Sequence, residues 1–180
     1  MSYATAPRRN QVIIHHTGSP NSHTSTASFC EGGYDFTITR TGVTHVCGTR
    51  WQQATGSHAF GCNCQTIGIM LHGCFGGCLS GNVSGPSKAQ ECRLAALMNL
   101  LNTPNEAARI RPHANCFFWN PCGGTGSFST VCCGTNFTQQ SGTNSSWNSS
   151  GLALRNRVVT WRNNYRTRNC CDPADGPCPI

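Results

Sequence analysis

The chain has 180 residues, enough for one domain with a real core, and is 37% hydrophobic but only 11% charged. Its formal net charge of +7 comes almost wholly from arginine, Lys88 being the sole lysine, and suits an anionic partner (nucleic acid, acidic lipid or an anionic cell wall) as well as it suits a merely soluble basic protein. No stretch approaches the roughly 18 apolar residues of a membrane span, and no basic run is interleaved with aromatics, so neither a membrane span nor nucleic-acid binding is expected.

Residues 1–10 read as an N-terminal arm with no apolar core of a signal peptide. Val12–Ile13–Ile14 is a β-branched run that predicts a buried strand over 11–16, ending in His15–His16–Thr17. Gly18 to Ser22 breaks it with turn residues. Tyr34 to Thr39 alternates and predicts a second strand; Thr41–Gly42 turns it, and Val43 to Cys47 returns as a hairpin arm. Residues 48–65 read as a loop centred on Gly56–Ser57–His58–Ala59. Thr66 to His72 predicts another buried strand, followed by a loop from Gly73 to Gly85.

Ser87 and Gln90 have capping-box spacing ahead of an apolar face, which predicts a helix over 87–102. Asn102–Thr103–Pro104 ends it. Arg109–Ile110–Arg111 reads as a short strand feeding His113. The stretch 123–150 is rich in Gly, Ser, Thr and Asn and reads as an inserted surface loop. Leu154, Val158 and Trp161 recur at helical spacing and predict a last helix over 151–164. Residues 165–180 form a Cys- and Pro-rich tail. Intermixed strands and helices predict a single α/β domain over 1–180, a central mixed β-sheet flanked by helices, with a disulfide-rich C-terminal extension.

Fourteen cysteines without a CxxC pair favour disulfides over metal knuckles. With no export signal, either a signal has been removed, or the protein leaves its cell by lysis, or it is an intracellular disulfide-rich protein of a hyperthermophile, against which the Asn-rich stretches speak. One constellation departs from the disulfide reading. A strand end is a rigid mount for a ligand, and His15 sits on one. His113 and Cys122 are its best partners, giving three ligands with a fourth position open, the pattern of catalytic rather than structural zinc.

The segments VIIHHT at 12–17, GYDFTITRTGVTHVCGTR at 33–50, GSHAFGCNCQTIGI at 56–69 and IRPHANCFFWNPC at 110–122 then fall in one order. Together they resemble the zinc-dependent N-acetylmuramoyl-L-alanine amidases, the family of amidase-type phage lysozymes and animal peptidoglycan recognition proteins. The resemblance covers roughly residues 10–122. It implies a mixed sheet with a Zn2+ cleft and hydrolysis of the amide between N-acetylmuramic acid and L-alanine in bacterial peptidoglycan. It implies His15, His113 and Cys122 as metal ligands, and Tyr34 as a catalytic residue near the water or substrate.

Two departures stand out. Asn120 occupies the place of a catalytic lysine and can donate only a neutral hydrogen bond. Met70 occupies the place of a glutamate found in some members, so no carboxylate base is expected. Cys116 is a weaker candidate ligand than Cys122. His58 is taken as lining the substrate cleft, with a structural role as the competing reading. His16 is expected to pack beside the site, and His23, His45 and His72 to have no function. The expected protein is a monomeric cell-wall amidase, extracellular or released by lysis. The alternatives are a peptidoglycan-binding module that does not cut and, behind it, a thiol-rich metal or redox protein.

Overall fold

The computed structural model describes residues 11–18, 30, 33–47, 58–59, 63, 66–77, 81–101, 110–113, 132, 136, 138–141 and 144–166. A five-stranded sheet forms its centre. In chain order its strands are β1 (Gln11–His16), β2 (Phe36–Ile38), β3 (Thr44–Val46), β4 (Thr66–Leu71) and β5 (Ile110–Pro112). In space they run β3-β2-β4-β1-β5. β1 is parallel to both β4 and β5, β4 is parallel to β2, and only β3 is antiparallel, so the sheet is mixed as expected.

The period of two along each strand divides the sheet into two faces. Val12 and Ile14, Phe36 and Ile38, and Ile67, Ile69 and Leu71 form one buried cluster with the helical residues Leu94, Leu97, Met98, Leu154 and Val158. That face carries α1 (Lys88–Leu100) and α2 (Ser149–Arg166). The two helices pack against each other, and Arg157 grips Glu91 with two hydrogen bonds of 2.7 and 3.0 Å. The other face carries Ile13, His15, Thr37, Thr66 and Met70, all buried. The two central strands, β1 and β4, are thus covered on both faces, which explains their unbroken apolar runs.

α1 begins as its sequence predicts. Ser87 accepts the Gln90 amide, and the Gln90 side chain accepts the Ser87 amide. Gln90 is fully buried, and its Nε2 also donates to the carbonyls of Ile38 and His72, at 3.0 and 2.9 Å. One side chain therefore caps the helix and ties it to the ends of β2 and β4. Gly42 turns the β2–β3 hairpin with φ +85°, and a Cβ there would meet the Ala89 carbonyl at 3.1 Å.

Three expectations about the second half need correction. The stretch 123–150 is not all surface loop. It contains a two-stranded antiparallel ribbon, β6 (Thr138–Ser141) and β7 (Asn144–Trp147), and Trp147 is buried with its Nε1 donating to the Ile110 carbonyl. The last helix starts two residues earlier than expected, because the Asn148 side chain accepts the Gly151 amide and caps it. The disulfide-rich C-terminal extension is overturned. The disulfide found between described residues joins Cys30 and Cys47, in the N-terminal half. Cys74 and Cys92 are also disulfide-bonded, and both precede β5. What is described beyond residue 132 is held by hydrogen bonds and core contacts instead. Cys170, Cys171 and Cys178 lie outside the described residues.

Candidate metal centre

The site follows from strand register. β1 and β5 pair in parallel, with Val12 opposite Ile110 and Ile14 opposite Pro112. One step further along both chains brings His15 level with His113, and parallel neighbours share a face. Their ring centroids are 4.5 Å apart. The C-terminal ends of parallel strands are where open sheets place their sites.

The third member comes from far along the chain. Cys132 Sγ lies 3.5 Å from His15 Nδ1, and ligand atoms of His15, His113 and Cys132 all fall within 4.8 Å of one another. Cys132 is in the thiol form, while Cys30, Cys47, Cys74 and Cys92 are oxidised. Asn136, four residues on, is anchored. The Asn136 amide donates to the Phe75 carbonyl, its side chain to Val83, and Asn148 donates back to Asn136.

This donor set fits zinc. Zinc–nitrogen and zinc–sulfur bonds of about 2.0 and 2.3 Å at a tetrahedral angle put nitrogen and sulfur roughly 3.5 Å apart. The His15–Cys132 separation has that length. Metal binding also needs a neutral imidazole. Burial lowers the pKa of His15; Cys132 opposes that shift, while His113 and His16 reinforce it.

His15 is 1% exposed, and its other ring nitrogen is engaged. His15 Nε2 lies 3.1 Å from His58 Nδ1, and His58 Nε2 lies 3.2 Å from Thr66 Oγ1 and 3.9 Å from Asp35 Oδ2. Asp35 accepts the Gly68 amide at 2.8 Å. The His58 side chain has no exposed area, so it stands behind His15 rather than on a cleft wall. The ring lies where a side chain on Gly68 would otherwise be; a Cβ there would fall 2.2 Å from it.

Tyr34 precedes β2, and its half-buried ring meets His15 edge-on, with centroids 4.8 Å apart. Met70 pairs in register with His15 and is buried, so the strand position beside that histidine is apolar. Among the described residues the metal-capable cluster contains no carboxylate. His16 does pack beside the site: its Nδ1 accepts the Phe75 amide at 3.2 Å. Thr17 closes the strand end by exchanging hydrogen bonds with the Gly73 backbone. Cys122, Cys116 and Asn120 lie outside the described residues. Cys132 was missed as a member of this cluster because its sequence signal, a vicinal pair with Cys133, reads equally well as a disulfide staple.

Comparison with known proteins gives the geometry a context. The profile of a family described as N-acetylmuramoyl-L-alanine amidase matches residues 5–124. Among solved structures, the chain is similar to N-acetylmuramoyl-L-alanine amidase LysC from Clostridium intestinale URNW, at 24% identity and TM-score 0.51, over 76% of this chain and 88% of that one. The endolysin amidase LysCS from the same organism matches at 25% identity and TM-score 0.51, over 76% and 86%. The peptidoglycan recognition protein PGRP-SA of Apis mellifera shares the fold at 19% identity and TM-score 0.50, over 76% and 82%. No curated protein matches the sequence.

Proposed function

The chain belongs to the N-acetylmuramoyl-L-alanine amidase family, and from that membership we propose that it hydrolyses the amide between N-acetylmuramic acid and L-alanine in peptidoglycan, with zinc as cofactor. The observation that carries this reading is the convergence of His15, His113 and the Cys132 thiol at one sheet edge. A peptidoglycan-binding module that does not cut would have no need of that donor set. Zinc, when bound, supplies Lewis acidity, which polarises a carbonyl and makes water a better nucleophile near neutral pH.

The chain's own residues then have distinct tasks. His15 offers Nδ1 as a neutral donor, and His113 offers a second imidazole. Cys132 supplies the one anionic ligand. Tyr34 places a phenol beside His15, where its O–H can orient water or donate to the oxygen on which charge develops. Asn120 is assigned the second, neutral donor on its motif position. With Met70 beside His15, proton transfer falls to Tyr34 and solvent rather than to a carboxylate. The net charge of +7, almost all of it from arginine, favours an anionic wall. The protein is proposed to act as a monomer at the bacterial cell wall, outside its producing cell or after lysis. Among the described residues no helix is long and apolar enough to cross a membrane.

Metal analysis of single variants tests the ligand set. One zinc per chain is expected for the parent and for Cys122→Ser, and none for His15→Ala or Cys132→Ser. Retained zinc in Cys132→Ser with loss in Cys122→Ser would move the thiolate to Cys122.

A further inference from the structure

We propose that His58 is a positioning residue that fixes the tautomer and ring orientation of His15, with Thr66 and Asp35 behind it and Gly68 making the room. This rests on the reading of His15 as a metal ligand. The rings of His58 and His113 both pack against His15, and among the described residues it is His58 Nδ1 that lies within hydrogen-bond distance of its Nε2, at 3.1 Å. One of those two nitrogens must carry the proton.

The far end of the chain decides which. His58 Nε2 faces the hydroxyl of Thr66 at 3.2 Å and, beyond it, the carboxylate of Asp35 at 3.9 Å. A carboxylate only accepts, and Asp35 Oδ2 already takes the Gly68 amide. The proton of His58 is therefore best placed on Nε2, facing these oxygens. Its Nδ1 is then an acceptor, and His15 donates from Nε2. That leaves the lone pair of His15 Nδ1 free on the side where Cys132 Sγ lies 3.5 Å away. The arrangement is the outer-shell support that metal-binding histidines need.

Gly68 gives a second, independent observation. A Cβ at that position would lie 2.2 Å from the His58 ring and 2.6 Å from its Nδ1. β4 is otherwise built from bulky residues at Ile67, Ile69, Met70 and Leu71. The single glycine sits where the ring crosses the sheet. The small residue and the buried histidine form one device.

Long-range proton–nitrogen spectra of the zinc-free protein read the His15 tautomer directly. Wild type is expected to carry the proton on Nε2, and His58→Leu to show a mixture of both tautomers. Zinc affinity, measured by chelator competition, is expected to fall about 10- to 100-fold in His58→Leu. His58→Asn, whose amide oxygen can accept the same bond, should recover most of that loss. Gly68→Ala should displace the ring and weaken zinc binding with His58 still present. Circular dichroism of each zinc-free variant reports folding. A wild-type His15 protonated on Nδ1 would overturn the proposal. So would a folded His58→Leu with unchanged tautomer and zinc affinity. If His58→Leu does not fold, unchanged tautomer and affinity in Gly68→Ala would overturn it instead. A wild type with the Nε2 proton that binds no zinc would refute the metal site while supporting the His58–His15 bond.

Discussion

His15 is a titratable group in a place that disfavours charge, and that has consequences for pH. Burial is the first cause of its lowered pKa, and the same holds for His16. An unfolded chain protonates these rings near 6.5, whereas the folded chain resists until lower pH. The unfolded state thus binds more protons in between. Stability of the zinc-free protein is predicted to be full above about pH 6.5 and to be lost as pH falls through the folded values. Urea midpoints between pH 7.5 and 5 check this, and a midpoint that rises on acidification would contradict it. Tyr34 makes a different prediction. Tyr34→Phe keeps the ring packed against His15 but removes the hydroxyl, so turnover should drop about 10- to 100-fold with zinc content unchanged. Equal turnover would remove Tyr34 from the chemistry. His15 and His113 were legible as candidate ligands because a strand end and a motif announce them. Cys132 was not. In a chain with fourteen cysteines a thiolate ligand looks like half a disulfide, and only the folded path brings it to His15.

The elements that hold the site are ordinary ones whose ends are well tied. The capping box at Ser87 and Gln90 was legible because its spacing is local. The tie from Gln90 to the carbonyls of Ile38 and His72 was not, because it joins residues 52 and 18 positions apart. Ser87→Ala should lower unfolding stability by about 1 kcal/mol. Gln90→Ala should cost more, since it strips partners from buried carbonyls as well as from the cap. Denaturant melts of the pair decide it, and an equal loss would limit Gln90 to capping. The β6–β7 ribbon escaped the sequence for a compositional reason. Thr138 to Ser141 and Asn144 to Trp147 are nearly all polar and show no apolar alternation. Trp147 anchors the ribbon to Ile110, two residues before Pro112 and three before His113. Trp147→Phe keeps the ring but leaves that carbonyl without its donor. Stability should fall by about 1 kcal/mol or more, with some loosening of zinc.

At the scale of the whole molecule the sheet divides the work between its faces. One face is packed by α1 and α2 into the main core. The other carries the histidines, with His58 buried behind them. The mixed sheet with flanking helices was legible, because β-branched runs and one capped amphipathic segment suffice to predict it. The distribution of crosslinks was not. Cysteine counts say nothing about pairing, and the bridge between Cys30 and Cys47 braces the β2–β3 side rather than the C-terminus.

This sheet edge is proposed to perform metal-dependent cleavage of peptidoglycan. The most direct measurement is the release of new N-terminal alanine from purified peptidoglycan by zinc-loaded protein, before and after a chelator and again after added zinc. The predicted result is release that stops with the chelator and returns with zinc. Release untouched by zinc removal, or none at all from folded, zinc-loaded protein, would contradict it.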